Sequence, residues 1–143
     1  MWFKKKTQPN ARMDTLIGQH TIIHGDVHFS GGLHVYGQIK GNLSSDDEKA
    51  VLSLGKSACV DGNITVPFIM TNGTITGDVR SEQHIVLHEN AKVNGNVYYK
   101  LIETDVGVTM NGQLIHLDEN SQVVSVDEEI EAEQNNLMTG EYR

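Results

Sequence analysis

The pentapeptide Ile23-His24-Gly25-Asp26-Val27 is the first copy of a pattern that places a glycine and a polar residue between two apolar residues. Five further copies follow: Ile39-Lys40-Gly41-Asn42-Leu43, Val60-Asp61-Gly62-Asn63-Ile64, Ile75-Thr76-Gly77-Asp78-Val79, Val93-Asn94-Gly95-Asn96-Val97 and Met110-Asn111-Gly112-Gln113-Leu114. Successive glycines are separated by 16, 21, 15, 18 and 17 residues. Intervals of this size are typical of one coil of a three-sided β-solenoid, so the repeat predicts an all-β solenoid fold.

Each copy has the side-chain alternation of a strand that ends in a bend. Ile23 and Val27 fall on one face because strand side chains alternate at period two, and Gly25 lies between them at the same parity. A glycine in such a run marks a bend or a close backbone approach. We therefore predict that the coils turn at six corner glycines: Gly25, Gly41, Gly62, Gly77, Gly95 and Gly112. The Asn or Asp after most of them is expected to hydrogen-bond to the neighbouring turn.

The repeats are of two alternating kinds. The longer phrase runs from Ile17 to Ile23, recurs from Leu54 and Leu87, and returns in degraded form from Leu117 to Val123. The shorter phrase begins at Gly37, at Gly73 and, without its leading glycine, at Val108. Small residues of the longer phrase are expected to point inward: Thr21, Ala58, Ala91 and Ser121. Coils stacked about 4.8 Å apart bury a continuous apolar core that one coil could not bury alone, and we predict six to seven of them.

The charge distribution divides the chain into three parts. Residues 1–13 are basic and aperiodic and are predicted to form a disordered arm, whereas residues 14–126 form the solenoid body. Residues 127–143 are predicted to be a disordered acidic tail. Within the body, the polar residues 44–49 account for the 21-residue interval and are predicted to bulge as a loop, with the local register left open.

Composition excludes several classes of function. The net charge of −8 argues against a nucleic-acid partner. A single cysteine, Cys59, cannot form an internal disulfide, which favours a reducing, cytoplasmic setting. No run of apolar residues is long enough to span a membrane, and the start lacks the apolar region of a secretion signal.

The handedness of the solenoid separates a structural protein from an enzyme. Left-handed hexapeptide solenoids, many of them acyltransferases, carry an aliphatic residue at every sixth position, three times per coil. Here the steps of six never reach a third member, and the coil length varies. We therefore favour a right-handed parallel β-helix. The alternative is a left-handed hexapeptide-type enzyme, an acyltransferase or a zinc-dependent carbonic anhydrase-like protein.

The residues that could carry chemistry do not form a convincing site. Two sets of histidines were considered as zinc ligands: His20, His24 and His28, and His84, His88 and His116, which could stack on adjacent coils. No cysteine cluster or carboxylate pair accompanies them, so we interpret them as solvent-facing polar positions. Gly55-Lys56-Ser57 resembles the end of a phosphate loop, but Ala50 replaces its leading glycine. We predict no catalytic residue, no metal, no cofactor and no nucleotide.

The two ends of a solenoid expose strand edges and an apolar cross-section. No amphipathic capping helix is evident in the sequence. Uncapped ends of matching cross-section favour end-to-end stacking into a homopolymer, unless the tails fold over them. The predicted polymerisation residues are Leu16, Ile17, Ile22 and Ile23 on the first coil and Val123, Val124 and Val126 on the last.

Taken together, the order and spacing of these phrases resemble the bactofilin family. The resemblance covers residues 14–126 and begins with Leu16-Ile17-Gly18 and the first pentapeptide. It implies a right-handed, three-sided parallel β-helix that assembles into non-polar cytoskeletal filaments without nucleotide. It also implies association with the cytoplasmic face of the inner membrane and positioning of a peptidoglycan-modifying enzyme or other morphogenetic protein.

The N-terminus is similar to the short membrane-targeting starts of that family. The predicted membrane-binding residues are Met1, Trp2, Phe3, Lys4, Lys5 and Lys6. Trp and Phe each gain about 1.5–3 kcal/mol by burial in the membrane interface, and each lysine adds about 1 kcal/mol near anionic lipid. The competing interpretation of these residues is an ordinary solubilising start.

Overall fold

The structure, a computed structural model, describes residues 13–118 and the backbone of residues 123–125. All regular elements in these residues are strands, arranged in three sheets. Sheet 1 contains β1 (Thr15–Ile17), β4 (Gly32–Val35), β7 (Val51–Leu54), β10 (Phe68–Thr71), β13 (His84–Leu87) and β16 (Ile102–Thr104). Sheet 2 contains β2 (Ile22–His24), β5 (Gln38–Lys40), β8 (Cys59–Asp61), β11 (Thr74–Thr76), β14 (Lys92–Asn94) and β17 (Thr109–Asn111). Sheet 3 contains β3 (Val27–His28), β6 (Leu43–Ser44), β9 (Ile64–Thr65), β12 (Val79–Ser81), β15 (Val97–Tyr99), β18 (Leu114–Leu117) and β19 (Val123–Ser125).

The chain visits the sheets in turn, so three consecutive strands make one coil and β1 to β18 make six. Every pairing between coils is parallel and in register, with Leu52 between Leu33 and Ile69, for example. The predicted three-sided β-solenoid is therefore confirmed, with six coils. Its right-handedness stays an expectation of the family resemblance.

The core is a set of inward-facing columns that run along the solenoid axis. Ile39, Val60, Ile75 and Val93 form one such column in sheet 2, and all four are fully buried. Sheets 1 and 3 contribute equivalent columns of Leu, Ile and Val. Burial is complete only in the middle coils, because the first and last coils have a neighbour on one side alone.

The two kinds of phrase correspond to two kinds of corner between sheets 1 and 2. A longer phrase adds a turn, such as the one closed by the Ala58 N–H donating to the Gly55 carbonyl at 3.0 Å. Ala58 and Ala91 are buried there as predicted, but Thr21 is exposed because no coil precedes the first one. Ser121 lies outside the described residues.

The assignment of Val108 to a shorter phrase is wrong. Met110 follows Thr104 by six positions, as at the longer corners, and the connection between them contains the same two-residue turn. The loop predicted at residues 44–49 is present but shifted by one residue: Ser44 belongs to β6, residues 45–50 connect β6 to β7, and the strands on both sides keep their register.

The C-terminal end of the solenoid departs from the sequence prediction. The degraded phrase from Leu117 to Val123 forms no seventh coil; Leu117 belongs to sheet 3, and β19 pairs antiparallel with β18. Ser125 stands where the repeat would place its next corner glycine. A Cβ at that position of a further coil would meet the carbonyl of the glycine before it, as the geometry at the preceding corners shows. The sequence therefore lacks the glycine that would allow a seventh coil to approach as closely as the others do.

Candidate assembly surfaces at the two ends

A column of corner glycines runs along the solenoid from one end to the other and allows neighbouring coils to approach closely. A Cβ built on Gly41, Gly62, Gly77, Gly95 or Gly112 would lie against the carbonyl oxygen of the corner glycine one coil earlier, far inside van der Waals contact. Gly25, at the start of the column, has no atom within 4 Å of such a Cβ. The column therefore fixes the close approach of neighbouring coils, and Gly25 marks where it is open.

A second ladder runs beside the glycines and confirms the expected side-chain hydrogen bonds. The Oδ1 atom of Asp26 accepts from the backbone N–H of Asn42 at 2.9 Å, and Asn42 Oδ1 accepts from Asn63 N–H at 3.0 Å. The series continues, always from one coil to the next, through Asp78, Asn96 and Gln113. Each accepting side chain, from Asp26 to Asn96, thus satisfies a backbone donor of the following coil.

We define the N-terminal face as the open side of the first coil. Its three strands, β1, β2 and β3, are all edge strands, so among the residues that the structure describes each sheet ends here without a further strand. Ile23 and Val27 point inward and are only half-buried, although the next residues in their columns, Ile39 and Leu43, are fully buried. The face therefore combines open backbone hydrogen-bonding groups with an unsealed apolar cross-section.

The predicted residues of the first coil divide between two environments. Ile17 is buried in the core, and Ile23 lies at the cross-section just described. Leu16 and Ile22 are 52% and 51% exposed, and they occupy outward columns next to His34 and Gln38. The strand alternation in Leu16-Ile17 and Ile22-Ile23 contains this distinction, because adjacent strand residues face opposite sides.

We define the C-terminal face as the open side of the sixth coil. Ile102, Val108, Met110 and Leu114 are partly buried against the core there, and Val106 is 95% exposed at the corner. No strand within residues 13–118 or 123–125 pairs with the outer edges of β16 and β17, whereas the edge of β18 is occupied by β19. Sequence reasoning missed these residues because it expected a further coil to cover them.

The predicted C-terminal interface residues have a different position from the one expected. Val123 and Val124 belong to β19, which extends sheet 3 by one antiparallel strand rather than by a coil. Val126 lies outside the described residues, as do the predicted membrane-binding residues Met1, Trp2, Phe3, Lys4, Lys5 and Lys6.

The histidines considered as metal ligands are distributed over several faces. His24 and His28 lie in sheets 2 and 3, His84 begins β13 of sheet 1, His88 directly follows that strand, and His116 lies in sheet 3. His84 Nε2 is 3.0 Å from Glu103 Oε2, and His88 Nδ1 is 3.3 Å from Asp105 Oδ2. Among residues 13–118, no group of three His, Cys, Asp or Glu side chains is placed to hold a metal ion.

The loop at residues 45–50 is fastened to the solenoid by Asp47. Its Oδ1 accepts from the Lys49 N–H and its Oδ2 from the Gly31 N–H, both at 3.0 Å. These two backbone hydrogen bonds, the one from Lys49 first, hold the pKa of Asp47 below its ordinary value of 3.8. The carboxylate therefore acts as a structural anchor between adjacent corners.

The fold and its unsealed faces define a β-solenoid repeat protein whose ends are suited to contacts with other chains. A family model described as "Bactofilin: Polymer-forming cytoskeletal" matches residues 15–115. The chain therefore belongs to the bactofilin family, and it carries a polymer-forming cytoskeletal domain. No curated protein and no solved structure matches the chain. Across the described residues, no helix is long and apolar enough to cross a bilayer.

Proposed function

We propose that this chain is a bacterial cytoskeletal scaffold that polymerises end to end, without nucleotide, through its N-terminal and C-terminal faces. The observation that carries the proposal is the contrast in burial along the axis. Inward residues of the middle coils, such as Ile39 and Ile75, are fully buried, whereas Ile23 and Met110 in the same columns are not. Stacking another coil on each end would give these residues the environment that the middle coils already have.

The energetics require both apolar burial and strand pairing. Sealing three or four half-exposed Ile, Val or Met side chains contributes about 1 kcal/mol each. Association costs about 4–15 kcal/mol of lost freedom, so this burial does not suffice by itself. The open edges of β1, β2 and β3 supply backbone hydrogen bonds over three sheets at once, which supports assembly through the whole face.

We further propose that like ends meet, so that the filament is non-polar. The two faces do not match each other, because three edges are open at the N-terminal face while β19 raises sheet 3 by one strand at the other. Two copies of the same face match through a two-fold axis by construction. Pairing of two N-terminal faces avoids the step that β19 introduces, and pairing of two C-terminal faces places the β19 strands of both copies in one symmetric interface.

Thr15 and Thr104 provide a test that does not disturb the monomer. Both side chains are exposed, yet they extend the inward columns of sheet 1 beside Leu33 and Leu87. A lysine at either position charges one end face without entering the core. We expect Thr15→Lys and Thr104→Lys each to stop assembly at dimers, and the double variant to be monomeric, by sedimentation velocity and negative-stain imaging.

The matched control is Thr109→Lys, which lies on the same coil as Thr104 in an outward column of sheet 2. It should form filaments like the unmodified chain. Filaments of normal length from the double variant would contradict end-to-end assembly. Monomers from both single variants would instead indicate head-to-tail stacking and overturn the non-polar arrangement.

Membrane attachment and recruitment complete the proposal. Met1, Trp2, Phe3, Lys4, Lys5 and Lys6 are proposed to bind lipids at the cytoplasmic face of the inner membrane. The filament would then position a peptidoglycan-modifying enzyme or other morphogenetic protein. The support is the composition of the first six residues and the family's cytoskeletal character.

A further inference from the structure

The outward surface of sheet 1 differs in chemistry from the outward surface of sheet 2. Its strands carry Phe68, Met70 and Val86 outward as half-buried side chains, together with Val51, which is only 4% exposed. With His84, His88 and Glu103 these side chains line a shallow groove. The equivalent positions of sheet 2 are polar or small: Gln38, Lys40, Cys59, Asp61, Thr74, Thr76, Lys92 and Asn94. We call the surface formed by Val51, Phe68, Met70, His84, Val86 and His88 the sheet 1 groove.

We propose that the sheet 1 groove is a lateral contact between copies of this chain in neighbouring filaments, packed face to face. The inference rests on the proposed polymer. Two flat sheets pack well against each other about 10 Å apart, and an apolar central patch with Phe and Met is typical of interface cores. The middle of the patch is β10, the strand that carries both Phe68 and Met70.

The size of the groove decides when this contact forms. The four-residue strands that carry it, β7, β10 and β13, are about 13 Å wide and about 4.8 Å apart, which gives roughly 190 Å² per copy. Two copies would bury roughly 380 Å², which is well below the roughly 1,200 Å² of a stable interface. Single chains should therefore stay apart, whereas filaments, which present many copies together, should pair through multivalency.

The charges at one end of the surface determine the relative orientation. Glu103 and Asp105 lie at the C-terminal end, beside His84 and His88. A parallel arrangement would bring the same carboxylates of two copies close to one another. An antiparallel arrangement about an axis near β10 separates them and superposes Phe68 and Met70 at the centre, so the pairing is antiparallel.

The test compares two glutamate variants on the same coil. Met70→Glu charges the groove, and Thr76→Glu places the same charge on the exposed outward surface of sheet 2. We expect paired or bundled filaments from the unmodified chain and from Thr76→Glu, and single filaments of unchanged length from Met70→Glu. Filament width in negative stain and low-speed pelleting measure the difference, with at least a threefold loss of pelleting expected for Met70→Glu.

A cross-link provides a second measurement that does not depend on the tolerance of the fold to a buried charge. In a Cys59→Ser background, Met70→Cys should form an interchain disulfide in the polymer under oxidation, whereas Thr76→Cys should not. Single filaments from the unmodified chain, or bundles unchanged in Met70→Glu, would overturn the inference alone. Binding of single filaments to vesicles that is lost in Met70→Glu would assign the groove to lipid and also overturn it. Absence of any filament would refute the proposed function itself.

Discussion

At the scale of single residues, the coil spacing depends on what a glycine lacks. In the corner column, each glycine after Gly25 approaches the carbonyl of the preceding corner so closely that any Cβ would displace one of the two coils. The adjoining Asn and Asp side chains then bond the backbone of the next coil. Each corner therefore combines close packing of two coils with a hydrogen bond to a backbone N–H of the next coil.

Comparing Gly77→Ala with Gly25→Ala distinguishes two effects on folding stability: the close approach between coils and the strain of the backbone. Both residues have positive φ, 147° and 130°, so alanine is strained at either position. Only Gly77 faces a carbonyl of the preceding coil. We expect Gly77→Ala to destabilise by about 3 kcal/mol or more and Gly25→Ala by about 1 kcal/mol.

Urea unfolding of both variants in the monomeric Thr15→Lys, Thr104→Lys background provides the measurement. That background removes the contribution of assembly, in which Gly25 would acquire a neighbour. Equal losses of stability at the two positions would show that the column does not set the coil spacing.

Asp47 gives a prediction about pH. Because its folded-state pKa is lowered, its stabilising effect on the loop is present above the ordinary value of 3.8 and is lost as the pH falls through the folded-state value. The amide proton shifts of Lys49 and Gly31 should therefore titrate together below pH 3.8 in NMR spectra. Asp47→Asn should abolish that titration, while Asp46→Asn, on the exposed neighbour, should leave it intact. Titration that persists in Asp47→Asn would assign the effect to another group.

At the scale of elements, strand identity along the chain is locally encoded, but pairing partners are not. The strands β1 to β18 repeat one pattern and pair with the equivalent strand one coil away. β19 has the apolar character of the other strands but follows no corner glycine, and it pairs antiparallel. Because β19 pairs antiparallel with β18, the two ends of the solenoid have different strand edges.

At the scale of the whole molecule, the surfaces are chemically distinct. The ends are unsealed and apolar, the middle strands of sheet 2 carry polar or small residues outward, and sheet 1 carries an apolar groove. An axial contact through large faces and a lateral contact through a small one would give a hierarchy in which filaments form first and pair later. The same logic applies to the proposed membrane tether, whose weak single contact becomes strong only in a polymer.

Deletion of residues 1–6 tests the tether at this scale. Two aromatic residues and three lysines supply about 6–9 kcal/mol before ordering costs, which is weak for one chain. The deletion should abolish pelleting with anionic vesicles while filaments form normally. The monomeric Thr15→Lys, Thr104→Lys chain should bind vesicles at least tenfold more weakly than the polymer. Vesicle pelleting that survives the deletion would exclude the tether.

The repeating part of this protein is encoded in short-range patterns of its sequence. Glycine spacing and the apolar alternation around it are short-range signals, so the coils, the inward columns and the loop at residues 45–50 could be predicted from residues a few positions apart. The positions of Ala58 and Ala91 follow from the same local rules.

The tertiary structure alone decided how the repeat ends and what its surfaces present. The reversal at β19, the exposure of Thr21 and the longer corner at Val108 depend on whether another coil lies alongside. The exposure of Leu16 and the burial of Ile17 likewise depend on which neighbouring coils are present. Because burial and strand pairing are properties of neighbours distant in sequence, they become definite only when the stack has a first and a last coil.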